Sequence, residues 1–110
     1  MSGTFYRLEI PGGYLYAPIT ASGTVVTGVI GKRIVLVSAF FTVGANTTAQ
    51  WQTSSGPNLS GASPIVQYGG FVMNHNAGGW LETLFSDSLV LVISPSTSVG
   101  GCLSYSLDGP

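Results

Sequence analysis

Short apolar runs, each closed after a few residues by turn formers, constrain the fold of this chain more than any other feature. In the last third these runs are 70–73, 79–83, 88–94 and 101–107, and Gly, Asn, Ser, Asp or Pro separates each from the next. Runs of β-branched and apolar residues punctuated in this way are typical of antiparallel strands joined by tight turns. Strands this short cannot bury their faces alone, so we expect the earlier part of the chain to supply an opposing sheet.

Strand signals continue through the rest of the chain. Residues 5–10 and 47–53 alternate between apolar and polar side chains, and this period of two indicates half-buried strands. Pro18 cannot donate a hydrogen bond to a neighbouring strand, so we expect it on an edge strand or at a strand end. Gly28 interrupts another apolar run and is expected at a bulge or a close backbone approach.

Together these signals predict one all-β domain over residues 1–110. Strands at regular spacing, with no stretch of helical periodicity, favour an antiparallel β-sandwich, jelly-roll-like, with eight or nine short strands. Within this domain residues 1–11 form a candidate N-terminal docking strand, because an alternating terminal segment can add to a sheet edge of another chain. An ordinary first strand of the same sandwich is the alternative.

The longest strand candidate, residues 34–43, is apolar on both sides. Strict alternation places Leu36 and Phe40 on one side and Val37 and Phe41 on the other. An antiparallel sheet commonly leaves one face in water. We therefore expect this strand to be covered on both faces, with another subunit as the second cover.

The low content of charged residues also predicts contact with other subunits. Hydrophobic residues make up 45% of the chain, charged residues only 6%, and the formal net charge is −1, whereas about 25% charged residues is usual for a soluble domain. A net charge near zero promotes association. We expect identical copies or a larger assembly to cover much of the surface.

Composition also excludes several classes of function. Three basic residues, Arg7, Lys32 and Arg33, are too few to neutralise a nucleic-acid backbone. No apolar run approaches the roughly 20 residues of a membrane helix, and the first residues lack the apolar segment of a secretory leader. The single cysteine, Cys102, excludes an internal disulfide and is expected to be a small buried hydrophobe.

The titratable residues do not form a recognisable catalytic or metal-binding pattern. His75 is the only histidine, and the four carboxylates are scattered. Glu82 and Asp87 flank one connection, where Asp87 is expected to cap a turn. One His and one Cys cannot make a closed zinc site. We therefore expect no cofactor and no enzymatic activity.

Aromatic residues offer one further kind of site. Trp51, Tyr68 and Trp80 are candidates for a platform on which a saccharide ring stacks. Core packing or a subunit interface is the competing explanation for each ring.

Four segments carry a resemblance to a known group of proteins. They read Tyr-Gly-Gly-Phe-Val-Met at 68–73, Asn-Ala-Gly-Gly-Trp-Leu-Glu-Thr at 76–83, Ser-Leu-Val-Leu-Val-Ile-Ser at 88–94 and Val-Gly-Gly-Cys-Leu-Ser-Tyr at 99–105. This succession resembles small tailed-phage virion proteins of the capsid decoration (cement) and head-fibre type. The resemblance implies a β-sandwich or jelly-roll homotrimer on the outer surface of a capsid, made in the cytoplasm of the bacterial host.

That resemblance, combined with the strand and charge patterns, gives specific expectations for partners. The major capsid protein and identical copies of this chain would be the partners, with no nucleic acid and no membrane. Leu36, Phe40 and Trp51 are the expected subunit contacts. The expected capsid contacts are Tyr6, Arg7, Leu8, Ile10, Lys32 and Arg33. The alternative function is a receptor- or glycan-binding module of a phage tail fibre, which would use the loops at one end of the sandwich.

Overall fold

The structure is a computed structural model and describes residues 13–109, which form nine β-strands. The strands are β1 (Leu15–Ile19), β2 (Gly23–Val26), β3 (Arg33–Val43), β4 (Thr47–Thr53), β5 (Ser63–Ile65), β6 (Gly70–Met73), β7 (Leu81–Glu82), β8 (Leu89–Ser94) and β9 (Val99–Asp108). No helix among these residues is long and apolar enough to span a membrane.

The strands form two antiparallel sheets packed as a sandwich. One sheet has the order β1-β9-β3-β6, with the short β7 also paired to β3, and the other has the order β2-β8-β4-β5. Strand β1 therefore pairs with β9, β2 with β8, β3 with β6 and β4 with β5. This nested pairing is the topology of a jelly roll. The predicted antiparallel sandwich is confirmed.

Alternating burial explains why these segments become strands. In β4 the residues at every second position, from Thr47 to Thr53, are buried, and those between them are half-buried. Trp51 on this strand packs edge-on against Phe41 of the opposite sheet, with ring centroids 6.4 Å apart. Such an aromatic pair adds a directional contact to the area that both rings bury. The core therefore lies between the sheets.

A β-bulge in β3 changes which side chains face the core. Leu36 pairs with Tyr105 and Ser38 pairs with Ser104, so Val37 is an extra residue without a partner on β9. Side chains after a bulge point to the opposite face from the one that strict alternation predicts. The prediction that Leu36 and Phe40 share a face is therefore wrong: Leu36 is in the core, and Phe40 faces outward with 50% of its surface exposed.

Two predictions about special residues are confirmed. Pro18 lies in β1, at an edge of its sheet, where a missing N–H costs no ladder hydrogen bond. Gly28 lies so close to the 84–88 connection that a Cβ atom would be 2.6 Å from Ser86 O. Residues 1–11, predicted to hold a docking strand, lie outside the described residues.

Candidate functional site

The outer face of the five-stranded sheet carries a row of uncharged side chains that crosses four strands. Pro18 pairs with Cys102, Cys102 with Phe40, and Phe40 with Val72. Directly paired residues of antiparallel strands point to the same face of a sheet. Tyr16, two residues before Pro18, extends the row on the same face. We call these five residues the outer strip.

The outer strip is accessible from solvent. Tyr16 keeps 67% of its surface exposed, Phe40 50% and Val72 73%, while Cys102 is half-buried. All strip residues except Pro18 line an apolar depression of about 250 Å³. Large exposed apolar side chains that adjoin one another, rather than occurring singly, mark an interaction surface.

A pair of serines lies beside the strip. The hydroxyl oxygens of Ser38 and Ser104 are 2.5 Å apart and form a hydrogen bond. This bond satisfies the hydroxyl groups of both serines on an otherwise apolar surface. Ser104 is only 7% exposed. Since each hydroxyl has a partner, the face can be covered at a lower desolvation cost.

Charged side chains of the described part of the chain gather at one end of the sandwich. They belong to the start of β3, the end of β7, the 84–88 connection and the end of β9; they are Lys32, Arg33, Glu82, Asp87 and Asp108. We call this the charged end. The other end, the neutral end, consists of the connections 20–22, 44–46, 66–69 and 95–98, which hold no charged residue. The outer strip has none either.

The two predicted capsid contacts at the charged end already interact within the chain. Arg33 Nη1 donates to Glu82 Oε1 at 2.7 Å, and the guanidinium lies 4.2 Å from the centre of the Phe85 ring. Lys32 Nζ donates to Gly109 O at 3.4 Å. Because Glu82 compensates its charge, Arg33 offers little free positive charge to an acidic partner. The other predicted contacts, Tyr6, Arg7, Leu8 and Ile10, lie outside the described residues.

Two of the three predicted subunit contacts are core residues instead. Leu36 is 0% exposed and Trp51 2% exposed within the single chain, so neither side chain has surface to offer a second subunit. The physical reason is the same for both side chains, because they fill the space between the two sheets. The sequence alone could not show which apolar side chains face that space. Phe40 remains an available contact because of the bulge at Val37.

Asp87 stabilises the charged end. Its Oδ2 accepts hydrogen bonds from Ser55 Oγ at 2.5 Å, from Thr53 Oγ1 at 2.6 Å and from Ser55 N at 3.1 Å. These bonds, the one from the Ser55 hydroxyl first, lower the pKa of Asp87 below its ordinary value of 3.8, because they favour the ionised carboxylate. The carboxylate ties the 84–88 connection to the turn after β4 and caps that turn through Ser55 N, not the 85–88 turn that the sequence predicted.

The remaining titratable groups are dispersed. The His75 ring packs edge-on against Tyr14, with centroids 5.1 Å apart. Cys102 Sγ lies 3.7 Å from Leu103 O. Among residues 13–109 no three His, Cys, Asp or Glu side chains are grouped as metal ligands.

The three candidate stacking rings differ in solvent exposure. Trp51 is in the core, and Trp80 is 51% exposed with its indole N–H donating to Asn74 O at 2.8 Å. Tyr68 is 79% exposed and borders an open depression of about 370 Å³ at the neutral end. Tyr68 is therefore the most accessible of the three.

Sequence reasoning missed most of the outer strip. Tyr16, Val72 and Cys102 lie on strands far apart in the chain, and their grouping depends on strand order and register. The alternation of the 70–73 segment indicated a strand with two different faces. It did not show which of these faces pointed outward.

Comparisons with protein-family models, with curated proteins and with solved structures found no match for this chain.

Proposed function

We propose that this chain is a structural protein of a bacteriophage particle, a capsid decoration or cement protein that assembles as a homotrimer and performs no enzymatic reaction. The observation that carries the proposal is the outer strip, an exposed and uncharged row of side chains on a jelly-roll sheet. Burial of such a surface stabilises the assembly by about 25 cal/mol per Å² of apolar area removed from water. In this proposal the strip packs against the other two copies around the threefold axis of the trimer.

Charge favours an identical copy as the occupant. Copies of an uncharged surface meet without like-charge repulsion, and the outer strip holds no charged residue. The net charge of −1 adds little repulsion between whole chains. The multiplicity of three comes from the resemblance of the segments 68–73, 76–83, 88–94 and 99–105 to phage virion proteins.

Attachment to a capsid is the second part of the proposal. A trimer presents three equal docking sites to a repeating lattice, so weak contacts of single copies add up through multivalency. The protein would be made in the bacterial host cytoplasm and would reside on the capsid surface, bound to the major capsid protein. Residues 1–11 are the proposed docking segment.

A second candidate function is a receptor- or glycan-binding module of a tail fibre. The observation that favours it is Tyr68, which presents its ring at the neutral end with 79% of its surface exposed. Connections at one end of a rigid sandwich are a common location for binding residues.

Two measurements test these proposals. Light scattering should give three times the chain mass of 11.3 kDa, and a monomer at millimolar concentration would refute self-association. Co-sedimentation with capsids assembled without this chain should place the protein in the capsid pellet. A trimer that stays in the supernatant and binds host cells instead would refute decoration and favour the tail-fibre function.

A further inference from the structure

Tyr68 combines an unfavourable backbone conformation with an exposed aromatic ring. Its φ of 61° lies in the left-handed region, which is sterically unfavourable for an L-residue. The ring is 79% exposed, so burial of the ring does little to offset that cost. Backbone outliers of this kind cluster at ligand-binding positions, and folding alone does not explain a tyrosine here.

The backbone around Tyr68 is held in place by hydrogen bonds to the end of β3. Tyr68 N donates to Val43 O at 2.9 Å, and Val43 N donates to Gly69 O at 3.0 Å. The side chain of Asn46 adds a third link, because its Oδ1 accepts from Gln67 N at 2.7 Å. The backbone that carries the ring is therefore held in place before any ligand arrives, which lowers the entropy cost of binding.

The depression beside the ring has the size of a small ligand site and a lining of both apolar and polar groups. Its volume of about 370 Å³ falls within the range of roughly 300–1,000 Å³ for ligand pockets. Thr42 and Ser98 bring hydroxyl groups to its wall, and Gly100 leaves the backbone accessible there. A Cβ atom at Gly100 would meet no other atom within 4 Å, so this part of the depression is open space.

We propose that this depression binds a neutral saccharide, with Tyr68 as the stacking platform. The face of an aromatic ring suits the apolar C–H face of a sugar, while hydroxyl and backbone groups can satisfy the sugar hydroxyls. The neutral end has no charged side chain, so it offers no ion pair to a sialylated or sulfated glycan. This inference rests on the second candidate function and names its site and ligand class. It does not involve the outer strip.

The test uses an array of neutral, sialylated and sulfated oligosaccharides, followed by calorimetric titration with the strongest neutral ligand. Two variants remove the site in different ways. Tyr68→Asn removes the ring and keeps a residue that tolerates positive φ. Gly100→Val fills the depression with a residue that favours strands. Gly61→Val is the matched control, because its Cβ also meets nothing within 4 Å and it lies in the 54–62 connection, outside the depression.

We expect the wild-type chain and Gly61→Val to bind the same neutral glycans. Tyr68→Asn and Gly100→Val should each weaken that binding by about tenfold or more, which is a loss of about 1.4 kcal/mol or more of binding free energy. If the wild-type chain binds no glycan, glycan binding itself is refuted. If it binds glycans equally well in all four proteins, or prefers acidic ones, the function stands and the proposed site is refuted.

Discussion

Phe40 on β3 and Cys102 on β9 are direct partners on the outer face of the five-stranded sheet. Phe40 is half exposed there and Cys102 is half-buried. The only thiol of the chain therefore lies inside the surface that we propose to be buried between copies. It provides a reporter of assembly that needs no engineered label.

Replacing Phe40 with Thr should weaken self-association. The substitution removes the central ring of the outer strip and keeps a β-branched residue suited to a strand, so the dissociation constant should rise about tenfold or more. Light scattering over a dilution series measures the change, and the reaction of Cys102 with a maleimide should become faster as the thiol is uncovered. Val66→Thr is the control, because Val66 is 71% exposed but lies at the neutral end. Equal masses for both variants would contradict the assigned surface.

Replacing Tyr68 with Gly should stabilise the fold. Glycine adopts positive φ without the steric penalty, so the free energy of unfolding should increase by about 1 kcal/mol. Urea denaturation measures it. Tyr16→Gly serves as the comparison: Tyr16 is similarly exposed but lies within β1, where glycine weakens a strand. A Tyr68→Gly variant no more stable than wild type would show that the φ of 61° carries no strain.

Acid should weaken the charged end through Asp87. The folded-state pKa of Asp87 is lowered below 3.8, so the carboxylate stabilises the fold fully above the unfolded-state pKa, and this contribution is lost as the pH falls through the folded-state value. Asp87→Asn should lower the melting temperature at pH 7 and leave it less dependent on pH below about 4. Thermal unfolding from pH 2 to 7 measures both effects. Parallel pH profiles for the two proteins would contradict the role of the carboxylate.

The neighbouring glycines Gly100 and Gly101 should respond very differently to alanine. A Cβ at Gly101 would overlap with the backbone oxygen of Phe40, whereas a Cβ at Gly100 meets nothing. Gly101→Ala must push β9 away from β3 and should cost about 1–3 kcal/mol, while Gly100→Ala should stay within about 0.5 kcal/mol of wild type. Chemical denaturation of both variants tests the difference. Similar stabilities would mean that the two strands separate easily at this point.

Local pattern was sufficient to predict most of the strands. The predicted segments 47–53 and 70–73 match β4 and β6, because a strand with one wet face has alternating side chains and sharp turn residues at its ends. The candidate site could not be predicted in the same way. Tyr68 was named as one of three candidate rings, but its exposure and its positive φ follow from hydrogen bonds to Val43, which lies 25 residues away in sequence.

The sequence by itself determined that this chain forms short antiparallel strands in a sandwich, and that its surface carries little charge. Only the tertiary structure decided which apolar side chains are buried and which form the outer strip. The physical reason lies in β3: one unpaired residue, Val37, reverses the faces of all side chains after it, and its position depends on the pairing with β9 rather than on the residues of β3. Strand order then brings Tyr16, Cys102 and Val72 beside Phe40, since cross-strand neighbours are set by long-range register.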